Sequence, residues 1–81
     1  MWMLRAGARR GTVLRDDASR PALVRATPST RALVTGQIPA GAVVEIVAEE
    51  RGEAVVSGNA RWLRVRWMEL DGYLFSGLVG E

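Results

Sequence analysis

Cysteine, histidine and lysine are all absent from this 81-residue chain. Without cysteine there is neither a disulfide nor a thiolate metal site, and without histidine the commonest metal ligand and the usual neutral-pH base are gone too. Carboxylates and hydroxyls remain. The adjacent pairs Asp16–Asp17 and Glu49–Glu50, however, point to opposite sides of an extended chain and cannot act together as an acid–base device. Gly36 to Gly41 is interrupted by Pro39 and lacks a lysine and a following helix, so it is no phosphate loop. No catalytic residue, metal ligand or cofactor is expected, and the chain does not read as an enzyme.

Long apolar runs are missing as well. None approaches the ~20 residues of a membrane-spanning helix. The stretch Met1-Trp2-Met3-Leu4 ends at Arg5, short of the roughly 7–15 apolar residues of a signal-peptide core. The chain is therefore expected in the cytoplasm if complete, and in the envelope or outside the cell if it is a module of a longer protein. At this length one domain is expected, with stability of roughly 4–12 kcal/mol.

What is present is arginine. The net charge of +2 conceals an asymmetry: residues 1–20 carry five arginines against two aspartates, whereas residues 21–81 carry six arginines against seven acids. We read the exclusive use of arginine as compositional, in a chain also rich in Ala, Gly and Val; selection for bidentate, stacking contacts is the other reading. Residues 1–20 are taken as an Arg-rich N-terminal arm, with a short strand expected at 12–14, and residues 21–81 as the folded domain. Trp2, Leu4, Arg5, Arg9 and Arg10 are the arm's candidate partner contacts, through which the chain could also form oligomers. Three arginines are too few to mark a nucleic-acid surface, so nucleic acid is not expected as a partner; weak binding of it is the third function considered.

Beyond the arm the chain reads as short strands separated by turns. Ala22–Ala26 is followed by the turn Thr27-Pro28-Ser29-Thr30, then a brief extended piece at 33–36 and the turn Ile38-Pro39-Ala40-Gly41. A long strand is expected from Ala42 to about Glu49, with Val44, Ile46 and Ala48 inward and Val43 and Val47 half covered. Glu49 to Glu53 reads as a charged loop, and Ala54–Ala60 as either its continuation or the extension of a long hairpin turning at Gly58-Asn59. Trp62–Trp67 returns antiparallel. Asp71-Gly72 supplies the next hairpin signal before Tyr73-Leu74-Phe75, and Ser76-Gly77-Leu78 can form one helical turn. About five short strands without a confident helix imply an all-β fold, closed as a small bent barrel that removes exposed edges.

In order and spacing, Ala22–Thr30, Gly36–Gly41, Trp62–Val65 and Gly72–Val79 together resemble bacterial SH3-like domains over about residues 22–79. The resemblance implies a five-stranded SH3-like barrel with one short helical turn near the C-terminus. It also implies a non-catalytic binding or targeting module, often recognising cell-wall peptide or glycan and in other members a protein partner. In the related modules that read proline-rich peptides, Trp62 aligns with the groove tryptophan. Val24, Ala26, Phe75 and Leu78 fall where groove tyrosines and a proline are expected, so polyproline recognition of that kind is not implied and a carboxylate-bearing ligand fits better.

Alternation along the Trp62–Trp67 strand puts Leu63, Val65 and Trp67 on the core face, with Trp62, Arg64 and Arg66 opposite. With Tyr73 and Phe75, the second stripe forms the candidate ligand-binding face: aromatic rings for stacking, guanidinium groups for clamping a carboxylate. Two readings of Trp62 stand, an open platform or a ring covered by a loop or by the arm. The competing function is a structural or assembly role in a larger complex, using the barrel and the arm.

Overall fold

The computed structural model describes residues 9–14 and 20–81. Seven strands form one antiparallel sheet: β1 Arg9–Val13, β2 Ala22–Arg25, β3 Val34–Ile38, β4 Val43–Val56, β5 Asn59–Trp67, β6 Leu70–Phe75 and β7 Val79–Gly80. A 3-10 turn, Ser76–Leu78, precedes β7. The spatial order is β3-β2-β6-β5-β4-β1-β7. The all-β SH3-like expectation holds, with two more strands than the five anticipated.

Alternation decides the core. Val44 and Ile46 of β4, Leu63 and Val65 of β5, and Leu74 of β6 all point inward and are buried, joined by Val13, Val24, Ile38 and Val79. Trp67, Leu70 and Ala42 pack against this cluster and are only partly buried. Val43 and Val47 are 58% and 43% exposed, about half covered as expected, because β1 pairs with the edge of β4 and does not cover its outer face.

The structure differs from the sequence reading at three places. First, the expected loop at Glu49–Glu53 is part of β4, which runs to Val56 opposite a matching β5 and turns at Gly58, where φ is +78°. Register shifts between Ile46 and Ala48 and again between Arg51 and Val56 bend this hairpin. Second, the β5–β6 turn is Met68-Glu69, with Met68 at φ +53°, and Asp71-Gly72 lies inside β6. Gly72 is needed for close packing: a Cβ there would lie 2.5 Å from Val24 Cγ1 and 2.9 Å from the Arg25 carbonyl oxygen. Third, the strand expected at 12–14 begins at Arg9. Arg9 and Arg10 therefore belong to the sheet, opposite Ile46 and Glu45, and do not form part of a free arm. Trp2, Leu4 and Arg5 lie outside the described residues.

Candidate binding groove and charged face

Trp62, Arg64 and Arg66 do share one face of β5, and their cross-strand partners on β6 are Phe75, Tyr73 and Asp71. The five candidate residues are thus brought together as adjacent pairs. Their environments divide sharply.

Trp62 is only 2% exposed, which corrects the open-platform reading. Its indole N–H donates to the Glu53 carbonyl at 2.9 Å, and its ring meets Phe75 edge-on with centroids 5.8 Å apart. Gly52 and Pro28 complete the cover, because the outer half of β4 and the loop after β2 close over the ring. An indole in this position contributes a large apolar burial and has its one polar atom satisfied.

The cover is itself held by a contact that sequence reasoning missed. The Glu53 carboxylate accepts from the Thr30 amide at 2.8 Å, the Thr30 hydroxyl at 2.8 Å and the Ser29 hydroxyl at 3.0 Å, while the Glu53 amide donates to the Pro28 carbonyl at 3.0 Å. As one charge within a Glu-rich run, Glu53 gave no sign of this; Pro28-Ser29-Thr30 offered donors but no hint of their distant acceptor.

Arg64 and Arg66 are exposed but not unpartnered. Both donate to Asp71, Arg64 at 2.9 Å and Arg66 at 3.3 Å. The Tyr73 hydroxyl donates to Glu50 at 2.5 Å, and this bond is the main cause of its raised pKa. Across the four neighbouring strands β1, β4, β5 and β6 the register Arg10–Glu45–Arg66–Asp71 alternates charge. On the far side, Arg61 bonds both Glu49 and Glu81, at 2.6 Å to the latter, and Arg9 pairs with the same two acids. These pairs lie at the surface, where each contributes little to stability and more to register.

Beside Trp62 the surface opens into a groove of about 510 Å³. Its apolar lining includes Leu23, Val55, Trp62, Phe75 and Leu78, and Arg20 and Arg25 line it as well. Leu23, Val55 and Leu78 are each more than a third exposed. Arg25 is oriented by donating to the Ala32 carbonyl at 3.2 Å. The groove takes Trp62 and Phe75 from the expected site and leaves Arg64, Arg66 and Tyr73 on the neighbouring charged face. Leu23, Val55 and these two arginines were missed, because they converge only through the β2–β6 pairing and the curl of β4. Among the described residues no group of acids is placed to hold a metal ion, and no helix is long and apolar enough to cross a membrane.

Glu49, Glu53, Asp71 and Glu81 all have pKa values held below the ordinary carboxylate range, chiefly by hydrogen bonds from Arg61, Thr30, Arg64 and Arg61 respectively. Such groups bind fewer protons folded than unfolded. Their stabilisation is present above the unfolded values near 4 and is lost as pH falls through the lowered native values. The urea midpoint is therefore expected to be lower at about pH 3 than at about pH 7, and Glu53→Gln to narrow the gap. Equal midpoints at the two pH values would show that these bonds do not persist in solution.

The comparisons agree with this architecture. The model of the bacterial SH3 domain family matches residues 22–80, beginning at β2 and ending with β7. No curated protein and no solved structure matches the chain. Domains of this type are in general non-catalytic binding or targeting modules, so the family implies some partner without naming it. With most of its length covered by that match and its strands in the corresponding barrel, the chain belongs to the bacterial SH3 domain family.

Proposed function

We propose that this domain is a non-catalytic binding module whose ligand lies in the groove beside Trp62, and that the ligand is a peptide carrying small apolar side chains and a carboxylate. The observation that carries this reading is the groove's composition: exposed Leu23, Val55 and Leu78 with the Trp62–Phe75 pair, and Arg20 and Arg25 in the same lining. Apolar lining with a few placed polar groups is the usual make-up of a ligand site. A guanidinium group in such a lining suits a carboxylate. Cell-wall peptide is the first ligand of this chemistry to test; glycan and a protein partner are the alternatives.

The charged face supports a smaller role. Arg9, Arg61, Arg64 and Arg66 each already donate to a carboxylate, so a phosphate backbone would have to displace those acids, which disfavours nucleic acid.

Pull-down on insoluble cell wall, followed by titration with soluble cell-wall peptides, tests the proposal. Leu78→Glu is expected to weaken binding about tenfold or more while leaving the fold intact, since Leu78 is 40% exposed. Arg66→Gln is expected to change it little. The reverse pattern would move the site to the charged face, and no binding by the parent would remove cell-wall peptide as the ligand.

A further inference from the structure

Among the described residues, two stretches of strand that lack a neighbour on one side, β3 and the outer part of β4, differ in chemistry. Among the described residues β3 ends the strand order and pairs only with β2. β1 pairs with β4 only as far as Ile46 among the described residues, beyond which β4 has its ladder partner on the β5 side alone. That stretch of β4 carries Glu49, Glu50 and Arg51, ahead of Glu53, whose amide bonds the Pro28 carbonyl. Charges on an edge strand are how proteins keep such an edge from pairing. The β3 edge has no such protection. From Ala32 to Ala42 there is no charged residue, Leu33 is 75% exposed and Val34 40% exposed, and Thr35 and Gln37 also face solvent.

We infer that the β3 edge is a self-association surface, on which the β3 strand of a second copy adds antiparallel about a two-fold axis. In such an arrangement the same short strand comes from both copies, so a charge on it would lie within a few residues of its own counterpart. Val34–Ile38 presents none, whereas the corresponding arrangement of the β4 stretch would bring Glu49 and Glu50 of both copies close together. Val34, Thr35 and Ile38 are β-branched and suit a paired strand. Pro39, which has no N–H, ends the ladder, so the shared segment is short and association is weak and concentration-dependent. The inference is independent of the groove: β3 contributes none of the groove's lining residues.

Sedimentation equilibrium at low ionic strength, from about 20 µM to about 1 mM protein, tests this directly. The parent is expected to show a mass rising with concentration toward two copies. Gln37→Lys, and separately Val34→Lys, bring one ammonium group per copy into the same five-residue ladder and are expected to hold the mass at one copy. Added salt is expected to restore part of the association in the lysine variants, a response that damage to the fold would not give, and circular dichroism checks that the sheet is retained. A parent that stays monomeric across the range overturns the inference, as does association that both variants leave unchanged.

Discussion

Trp62→Ala is expected to cost about 3–5 kcal/mol of folding stability, the range for deleting a buried aromatic side chain. Against the roughly 4–12 kcal/mol expected for a domain of this size, that is a quarter of the total or more. Three interactions disappear together in this variant: the edge-on packing against Phe75, the cover of Gly52 and Pro28, and the bond from the indole to the Glu53 carbonyl. Trp62→Phe keeps an aromatic ring and removes mainly the N–H donor. Its expected cost is about 1–3 kcal/mol, from the unpaired carbonyl and the smaller ring. Urea unfolding of the two variants beside the parent measures both numbers, and a Trp62→Ala cost below about 1 kcal/mol would show that the ring is not held as described. Loss of binding in Trp62→Ala is consequently no evidence for ligand contact, which is why the groove test uses Leu78.

Gly52→Ala is expected to destabilise by about 1–3 kcal/mol although it adds a single methyl group to a strand. The new Cβ would lie 2.5 Å from Pro28 Cβ and 2.8 Å from Trp62 Cδ1, and closer still to the Pro28 carbonyl oxygen. Two of these three neighbours cannot turn aside, since one is backbone and another a carbon of the proline ring. The way out is for the loop after β2 to lift, which breaks the bonds from Thr30 and Ser29 to Glu53 and exposes the indole. Tryptophan fluorescence should shift to longer wavelength along with the lower urea midpoint. An unshifted spectrum with parental stability would place the loop elsewhere in solution.

The barrel was legible because alternation is a local property. Leu63, Val65, Val44 and Ile46 declare their face in any four residues around them, and the 3-10 turn at Ser76–Leu78 follows from its own short segment. The burial of Trp62 was not legible, because it depends on Pro28, Gly52 and Glu53, which lie far from it in the chain and meet only after β4 bends. Gly72 shows the same limit in reverse. Beside an aspartate it carries the local signal of a hairpin turn, but the constraint that acts on it is Val24, almost fifty residues away, and the turn went to Met68-Glu69 despite the positive φ that methionine must adopt there. Of the candidate site, the pairing of Trp62 with Phe75 and of Arg64 with Tyr73 was foreseeable from strand periodicity. The groove's other wall was not, since Leu23, Val55 and Leu78 come from three separate elements.

The first strand separates two ideas that are easily treated as one, the span that identifies a family and the span that folds. The family match starts at residue 22, yet β1 lies between β4 and β7 and, among the described residues, joins them in the sheet. It also places Val13 in the core at 1% exposure and bonds through the Val13 backbone to Ala42 and Gly41. A fragment cut at the family boundary would lose a core side chain and the strand on which β7 is built. The cooperative unit is therefore wider than the recognisable one, and the residues ahead of the family segment help to hold the domain closed.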